Sequence, residues 1–360
     1  MPVNLNCYVS LHHLAILLLS MQQPKRAVIL MNLGSPDSPS TKNVKKYLDQ
    51  FLMDGRVIDL PYLLRSILVK GIITPFRSAK SAEAYSVIWT ENGSPLVHIT
   101  RQLCNELQKI IDIPVEIAMR YGAPDMIHAY NALMEKHQQL EEVVLLPLYP
   151  HYAMSSYETA LVHAQEVYEK GRYPFKITTV PIFYNHSSYI NALAASIEPY
   201  IRAEKDSHLL FSYHSIPERH IHKSDTTGNH CLTVANCCEV ASPAHSTCYR
   251  HQCLVTTKLV CEKMGIPKDK YSVSFQSKLG RSAWLTPATT ARMEQMPGEG
   301  IKKLIAVCPS FVSDCLETLE EVAIREKENF MNAGGETFTF IPCMNIQPLW
   351  VKAVKELVGG

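Results

Sequence analysis

The chain has 360 residues, a hydrophobic fraction of 46% and a nearly balanced charge, with 35 Lys+Arg against 34 Asp+Glu. At about 150 residues per domain this length predicts two domains or one large α/β unit, and the composition excludes a disordered chain. The balanced charge offers no basic surface for nucleic acid, and no apolar run approaches the roughly 18 residues of a membrane span. We therefore expect a soluble globular protein.

The beginning of the chain carries an apolar stretch, residues 14–19, with no Lys or Arg before it. A secretory signal needs a positively charged region at that place, so we do not expect export. We interpret residues 1–24 as a tail outside the fold, either from an over-extended start site or as a loose segment. The protein is then expected in the cytoplasm, where a reducing environment favours clustered thiols as metal ligands over disulfides.

Short apolar runs rich in β-formers recur between longer helical patterns, which predicts βαβ units and parallel sheet. The predicted strands form two sets, residues 27–32, 115–120, 142–147 and 176–181, then 209–213, 271–276, 304–308 and 337–342. The two sets follow each other in the same order and with nearly the same spacing. We predict an α/β protein with two similar doubly wound, Rossmann-like domains, residues 25–185 and 186–360. One continuous sheet is the alternative.

The carboxyl ends of the predicted strands carry segments rich in Gly, Pro, aromatic and polar residues. Ligands of open α/β sheets bind at this edge. None of these segments is a Gly-x-Gly-x-x-Gly loop, a Walker A motif or a Gly-x-Ser-x-Gly elbow, so a phosphate cradle and a hydrolase nucleophile are unsupported. We expect a large, flat ligand in a cleft between the domains.

Two features in the second half of the chain carry groups suited to proton or metal chemistry. His214 ends a predicted strand before a Ser-Ile-Pro turn, where an imidazole accepts protons or binds a metal, although a structural histidine is the alternative. Asp314, Glu317 and Glu321 are spaced by three and four residues, on one face of a predicted helix. Such carboxylates hold a divalent cation or take up protons, or they simply complement the helix dipole.

Six motifs then occur in a fixed order along the chain: Asn32-Leu-Gly-Ser-Pro, Trp89-Thr-Glu-Asn-Gly-Ser-Pro, Leu146-Pro-Leu-Tyr-Pro, Ser212-Tyr-His-Ser-Ile-Pro, Gln276-Ser-Lys-Leu-Gly-Arg and Asp314-Cys-Leu-Glu-Thr-Leu-Glu-Glu. Together they resemble the ferrochelatase family, which inserts ferrous iron into a porphyrin to make haem. The resemblance covers residues 27–358, and it is closer to the proteobacterial protoporphyrin branch than to the Gram-positive coproporphyrin branch.

The resemblance implies a chelatase fold with protoporphyrin IX gripped between the domains, Fe(II) as the second substrate, and release of two protons in the last step of haem biosynthesis. His214 matches the active-site histidine of the family and Glu317 matches its partner glutamate. Asp314 and Glu321 match positions proposed there as a metal or proton relay. The expected metal-site residues are therefore His214, Glu317, Asp314 and Glu321.

The resemblance also implies a porphyrin pocket. The matching positions are Leu33, Arg120, Tyr121, Ser277 and Trp284. Apolar and aromatic groups suit the faces of the macrocycle, and Arg120 suits a propionate. Ordinary packing is the alternative for Leu33 and Trp284.

Residues 61–77 are apolar with interspersed cations. In the family the corresponding segment forms a lip over the pocket that touches the membrane, and basic amphipathic segments do bind anionic interfaces. We expect peripheral contact with the inner face of the membrane, with a buried helix as the alternative.

Five cysteines fall between residues 231 and 253, without a Cys-x-x-Cys pair. Four thiolates suit a [2Fe–2S] cluster or a Cys₄ zinc site, and free thiols are the third alternative. Some ferrochelatases carry a [2Fe–2S] cluster, certain bacterial ones through an internal segment, so we expect a cluster in the insert 224–253. The expected ligands are Cys231, Cys238, Cys248 and Cys253, with Cys237 as the substitute.

Two other functions stay open at this point. One is a chelatase that acts on another tetrapyrrole with cobalt or nickel. The other is a porphyrin or haem carrier without catalysis, which the intact His214 and Glu317 disfavour. The sequence does not specify the oligomeric state.

Overall fold

The structure is a computed structural model that describes residues 24–278, 280 and 282–359. Except for Pro24, the predicted N-terminal tail, residues 1–24, lies outside the described residues.

The first half of the chain forms a four-stranded parallel sheet. Its strands are β1 (Arg26–Gly34), β2 (Val115–Tyr121), β3 (Glu142–Pro147) and β4 (Lys176–Thr179), in the order β2-β1-β3-β4. The central strand β1 is buried on both faces, as its nearly continuous apolar sequence indicates for a parallel strand that has helices on both sides.

The second half repeats this arrangement. Its strands are β5 (His208–His214), β6 (Tyr271–Gln276), β7 (Lys303–Val307) and β8 (Thr337–Phe340), in the order β6-β5-β7-β8. All eight predicted strands are confirmed, and so is the α/β fold class with two similar doubly wound sheets. The alternative of one continuous sheet is wrong, since no described strand joins the two sheets.

Helices cover both sheets. Those of the first half are α1 (Thr41–Leu52), α2 (Tyr62–Ser66), α3 (Thr74–Ile88), α4 (Pro95–Gln108), α5 (Met126–Lys136) and α6 (Thr159–Gly171). Those of the second half are α7 (Ser187–Ala203), α8 (Glu218–Ser224), α9 (Tyr249–Met264), α10 (Thr289–Gln295), α11 (Lys327–Asn332) and α12 (Pro348–Leu357). Wider π-helical turns occupy Ile67–Ile73, Met154–Glu158 and Glu317–Glu326, and short 3₁₀ turns occupy Pro243–Ser246 and Lys268–Lys270.

Local sequence signals fix several helix ends. The side chain of Ser40 accepts a hydrogen bond from the backbone N–H of Asn43 at the start of α1, and the side chain of Asp125 does the same for His128 at the start of α5. Gly265 ends α9 in the left-handed region, at φ +65°, which glycine adopts without strain.

One hydrophobic core joins the two sheets. Its buried residues come from β1, β2 and β3 as well as from β5, β6 and β7, with α4, α7, α9 and α12 contributing side chains between them. Trp350 of α12 is fully buried and packs on Phe183 and on Tyr189 of α7. The last helix thereby contacts α4 of the first half, which fixes the two sheets relative to each other. Among the described residues, no helix is both long and apolar enough to cross a membrane.

Candidate active site and cysteine-rich segment

His214 lies at the carboxyl end of β5, where its Cα pairs with Gln276 of β6. The ring is edge-on to Phe311, with 6.0 Å between ring centroids. Its Nδ1 is buried and has no hydrogen-bond partner among the described residues. Burial lowers the pKa of His214, although the Glu317 carboxylate nearby acts in the opposite direction. Burial therefore favours the neutral imidazole, whose Nδ1 can accept a proton or a metal.

The predicted acidic helix is present, but Glu317–Glu326 is π-helical and Asp314 precedes it. Asp314 is buried and its carboxylate oxygens are occupied. Oδ1 accepts hydrogen bonds from Thr318 Oγ1 at 3.0 Å and from the Cys343 backbone N–H at 3.1 Å, while Oδ2 accepts one from Asn345 Nδ2 at 2.7 Å. Asp314 thus ties the start of this segment to the chain that follows β8.

Glu321 is also occupied by protein groups. Its two oxygens accept hydrogen bonds from Ser277, Oε1 from the backbone N–H at 2.8 Å and Oε2 from the hydroxyl at 2.5 Å. Burial raises the pKa of Glu321 to about 7. Ser277 has φ +67°, in the left-handed region, so the Glu321 carboxyl stabilises a strained turn directly after β6.

Glu317 differs from both of these carboxylates. Within the described part of the chain, no nitrogen or oxygen donor is hydrogen-bonded to its carboxylate, although its backbone carbonyl accepts a hydrogen bond from Gln276 Nε2 at 2.9 Å. Burial raises the pKa of Tyr47 and Tyr85 well above the usual value, and the nearby Glu317 carboxylate raises it further. The Cys315 thiol is hydrogen-bonded to the Glu317 carboxylate. Among Asp314, Glu317 and Glu321, Glu317 is therefore the one whose carboxylate is most open to a ligand in the described part of the chain.

Arg120 and Tyr121, predicted pocket residues at the end of β2, share one acidic partner. Arg120 Nη2 lies 2.5 Å from Asp54 Oδ2, and the Tyr121 hydroxyl donates to the same oxygen at 2.9 Å. Thr159 Oγ1 donates to Asp54 as well, at 2.5 Å. Asp54 was not found from the sequence, because a single acidic residue after α1 has no diagnostic spacing. Leu33 packs partly buried on the apolar cluster beside β1.

Trp284 is partly buried, and its backbone pairs with Pro217, which follows His214 by three residues. Its indole Nε1 is buried without a hydrogen-bond partner among the described residues. A polar atom in that state is available to a ligand.

The family model described as Ferrochelatase matches residues 25–359. The chain belongs to the ferrochelatase family. Ferrochelatase of Opitutus terrae is 46% identical over 331 residues, 91% of this chain and 95% of that protein. Ferrochelatase of Ectopseudomonas mendocina is 45% identical over 333 residues, 92% of this chain and 96% of that protein. The solved structure of SirB from Bacillus subtilis with Fe3+ covers 93% of this chain and 96% of that chain, at 11% identity and a TM-score of 0.49.

The chain is accordingly a ferrochelatase, a lyase of haem biosynthesis whose substrates are a porphyrin and ferrous iron. The prediction from the six motifs is confirmed. None of these comparisons bears on the individual site residues, which stay predictions.

In this ferrochelatase the predicted cysteine insert folds over the start of α9. Cys248 directly precedes that helix, and its thiol is hydrogen-bonded to the thiols of Cys238 and Cys231. The Cys238 hydrogen bond is the largest of the effects that lower the pKa of Cys248 to about 6. Cys237 lies close enough to raise the pKa of both Cys231 and Cys238. The structure thus brings Cys231, Cys237, Cys238 and Cys248 together.

Of these cysteines, Cys253 is influenced by Cys248 alone, which lies close enough to raise its pKa. It is fully buried within α9, where its thiol is hydrogen-bonded to Tyr249 and burial raises its pKa. The geometry therefore favours the substitute Cys237 over Cys253. In the described ranges, no group of three or more His, Cys, Asp or Glu side chains already has the arrangement of a metal site.

Basic and polar groups surround the four thiols. Arg250 Nη1 lies 3.7 Å from the sulfur of Cys238 and 4.0 Å from that of Cys237. His230 Nε2 and His245 Nε2 both contact the backbone carbonyl of Cys237, at 2.7 Å and 2.8 Å. Because both imidazoles contact the same main-chain carbonyl, they hold the loop in place at Cys237.

The lip segment is exposed. Its most accessible apolar side chains are Tyr62 at 67%, Leu63 at 70%, Ile67 at 57% and Phe76 at 83% of full exposure. The alternative of a buried helix is therefore wrong for these side chains, while Val69 alone in the π-helical turn points into the protein.

Proposed function

We propose that the porphyrin substrate is protoporphyrin IX, that Fe(II) is inserted to give protohaem with release of two protons, and that His214 and Glu317 carry the reaction. The observation that supports this assignment is the pair of open groups. Burial favours the neutral form of the His214 imidazole, whose Nδ1 has no hydrogen-bond partner among the described residues. The Glu317 carboxylate is hydrogen-bonded there to the Cys315 thiol and to no nitrogen or oxygen donor.

Metallation removes two protons from pyrrole nitrogens, and a pyrrole N–H is a poor acid while the macrocycle is planar. A site that holds the ring in a distorted form directs the nitrogen lone pairs towards the metal. A neutral imidazole and a carboxylate can then divide proton removal and metal delivery between them. Burial of His214 favours the unprotonated imidazole, and the Glu317 carboxylate nearby favours the protonated form, so that the carboxylate would stabilise the imidazole once it has taken a proton.

Asp314 and Glu321 take a supporting part in this proposal. The hydrogen bonds of Asp314 hold the segment before Glu317, and those of Glu321 hold the turn at Ser277. Either carboxylate would reach a metal or pass on a proton only after these hydrogen bonds open. Leu33, Arg120, Tyr121, Ser277 and Trp284 are proposed to line the porphyrin pocket. Arg120 would bind a propionate by exchanging its contact with Asp54.

The direct test is anaerobic turnover of protoporphyrin IX and Fe(II), followed by haem absorbance, with His214→Ala, Glu317→Ala and Asp314→Ala beside the wild type. We expect His214→Ala and Glu317→Ala to lose turnover by about 100-fold or more while the protein stays folded, since each removes an acid–base group. Asp314→Ala should instead lower the free energy of unfolding by about 3 kcal/mol, because it leaves the buried Cys343 N–H and the Asn345 amide without an acceptor.

Wild-type protein that binds porphyrin tightly without turnover would contradict the catalytic assignment and support a porphyrin carrier. Turnover that survives in Glu317→Ala but not in Asp314→Ala, with both variants equally stable, would move the acidic role to Asp314.

For the insert, we propose a [2Fe–2S] cluster held by Cys231, Cys237, Cys238 and Cys248. The donor set supports this, because the Cys248 thiol is hydrogen-bonded to the thiols of Cys238 and Cys231, Cys237 lies close enough to raise the pKa of those two, and the pKa of Cys248 is lowered to about 6. When bound, such a cluster supplies a structural cross-link or a one-electron redox centre. A Cys₄ zinc site is the competing occupant.

Iron and labile sulfide in anaerobically purified protein test the cluster. Cys237→Ala should lose the visible absorption, and the matched variant Cys253→Ala should keep it, because Cys253 lies in the core of α9. Loss of the absorption in Cys253→Ala but not in Cys237→Ala would restore the ligand set predicted from sequence. Zinc without sulfide would assign the site to zinc.

We further propose that the enzyme is cytoplasmic and that residues 61–77 contact the inner face of the membrane peripherally. The exposed apolar side chains alternate with Arg65 and Lys70, as an interfacial segment requires. Flotation with anionic liposomes should fall for Leu63→Ser combined with Phe76→Ser, whereas flotation that is independent of anionic lipid would contradict the proposal.

The two sheets are proposed to define domains at 25–185 and 186–360, with the insert 224–253 in the second.

A further inference from the structure

A closed ring of hydrogen bonds holds the main chain of His214. The Tyr249 hydroxyl donates to the His214 carbonyl at 2.8 Å and lies 2.7 Å from Ser310 Oγ, and the His214 N–H donates to Ser310 Oγ at 3.3 Å. Since the Tyr249 proton is directed to the carbonyl, the Ser310 hydroxyl must donate to Tyr249 Oη. Within the ring each group donates to the next and accepts from the one before, an arrangement in which the hydrogen bonds strengthen one another. The Cys253 thiol is an additional hydrogen-bond partner of Tyr249 outside the ring.

This ring replaces missing sheet contacts. On one side, β5 pairs with β6 as far as His214 and Gln276. On the other side, the pairing with β7 ends at Phe211 and Val307, so His214 has no neighbour there among the described strands. Ser310 and Tyr249 occupy that side and fix the φ/ψ angles of the residue. A backbone held in this way determines where the imidazole points.

The same ring connects the active site to the cysteines. Tyr249 is the first residue of α9 and follows Cys248 directly. The tyrosine is buried, 4% exposed, and its ring packs edge-on against His151 with 5.8 Å between centroids. A shift of Cys248 is therefore transmitted to the His214 carbonyl through one rigid, fully packed side chain.

We propose that Tyr249 and Ser310 are positioning residues for His214, and that Tyr249 couples the geometry of the cysteine site to the orientation of the imidazole. The coupling rests on the proposed function of the cysteine site, whereas the positioning role does not. The chain offers a matched control in Tyr213, which is fully buried directly before His214 but whose hydroxyl bonds to Thr257 Oγ1 at 2.7 Å, away from His214.

The experiment compares Tyr249→Phe, Ser310→Ala and Tyr213→Phe in anaerobic turnover, with porphyrin binding and thermal unfolding measured alongside. We expect Tyr249→Phe and Ser310→Ala each to lower kcat about 10-fold with KM for porphyrin within about twofold, because the catalytic group is displaced while the pocket is kept. Tyr213→Phe should change kcat by no more than about twofold, even if it lowers the Tm as much as Tyr249→Phe does.

Two further variants test the ring itself. The double variant Tyr249→Phe with Ser310→Ala should be no slower than either single variant, since both break the same ring. Ser310→Thr keeps the hydroxyl and should restore kcat. Equal losses in Tyr213→Phe and Tyr249→Phe, or additive losses in the double variant, would overturn the positioning role.

The coupling is tested by Cys248→Ala in the wild-type and Tyr249→Phe backgrounds. We expect Cys248→Ala to lower kcat in the first background and to have no further effect in the second. Equal effects in both backgrounds would overturn the coupling. If Cys248→Ala does not fold, Cys238→Ala replaces it, since Cys238 contacts Cys248 from outside α9. Iron and sulfide analysis separates the coupling from the positioning role. Purified protein that contains no metal would overturn the coupling. The comparison of Tyr249→Phe with Tyr213→Phe would still decide the positioning role.

Discussion

At Glu321, burial and hydrogen bonding act on one carboxyl group in opposite directions. Burial is the larger effect and raises its pKa to about 7, although Ser277 donates two hydrogen bonds to it. A glutamate in the unfolded chain has a pKa of about 4.3, so the folded protein holds this proton more tightly. The stabilisation from Glu321 is therefore complete below about pH 4 and is lost as the pH rises towards 7.

Glu321→Gln does not titrate and keeps an acceptor for Ser277. We expect the free energy of unfolding of the wild type, relative to this variant, to fall by about 3 kcal/mol between pH 4 and pH 8. Chemical denaturation at a series of pH values measures this difference. The control is Glu320→Gln, a more exposed neighbour that pairs with Arg325. The prediction would be contradicted if the free energy of unfolding of the wild type differed from that of Glu321→Gln by the same amount at every pH.

The three acidic residues near the start of the π-helical segment show what sequence spacing can and cannot predict. Asp314, Glu317 and Glu321 look alike in sequence, because a spacing of three and four records only which face of a helix they share. The groups that distinguish them are Cys343, Asn345 and Ser277, which reach them from other parts of the fold. Their positions depend on how β6 and β8 lie beside the helix, which no local pattern records.

At the scale of elements, the strands were predictable because buried parallel strands are continuous apolar runs, and all eight lie where those runs occur. The π-helical form of Glu317–Glu326 was not predictable, since the same residues favour an α-helix, and in the fold the segment packs against α3, α10 and β8. The choice between Cys237 and Cys253 could not be made from sequence spacing for a related reason. Cys253 follows Cys248 by five residues of helix, and the helix directs it into the core.

The cysteine loop depends on one carboxylate at its beginning. Asp225 accepts hydrogen bonds from the backbone N–H groups of Thr227, His230 and Cys231, at 2.9, 2.7 and 2.7 Å. We expect Asp225→Ala to release this loop and to lower the iron content of purified protein severalfold, while the thermal stability of the rest changes little, because the three N–H groups lose their acceptor. Metal analysis and limited proteolysis within 226–247 measure the effect.

Asp112→Ala is the control, since Asp112 is exposed and far along the chain. Full iron content in Asp225→Ala, with the loop still resistant to protease, would show that the cysteines hold the loop without Asp225.

At the scale of the whole molecule, two sheets of the same topology share one hydrophobic core, which fixes their positions relative to each other. The repeat was visible in the sequence, because strand order and spacing recur. The core between the sheets was not, since α12 returns to pack on α4 from the far end of the chain. The lip is joined to the second half by an ion pair that sequence spacing also cannot show.

That ion pair lies at the base of the lip. Asp59 precedes residues 61–77 and accepts hydrogen bonds from Arg219 Nε at 2.6 Å and Lys223 Nζ at 2.5 Å, both on α8, which begins four residues after His214. Burial acts to raise the pKa of Asp59, but the hydrogen bonds from Lys223 and Arg219 outweigh it and lower the pKa to about 2. The lip is thereby tied to the helix that follows β5 and His214.

We expect Asp59→Asn to lower the free energy of unfolding at pH 7 by about 1 to 2 kcal/mol, less than the full shift implies because Arg219 and Lys223 are partly exposed and screened. A depressed carboxyl pKa stabilises the fold above about pH 4, and this contribution is lost as the pH falls towards 2. The difference between the wild type and Asp59→Asn in chemical denaturation should therefore shrink in acid and in high salt.

Asp37→Asn, which breaks the exposed pair with Lys46, should cost about 0.5 kcal/mol or less. Equal losses in the two variants would mean that the Asp59 pair acts as an ordinary surface salt bridge and does not fix the lip.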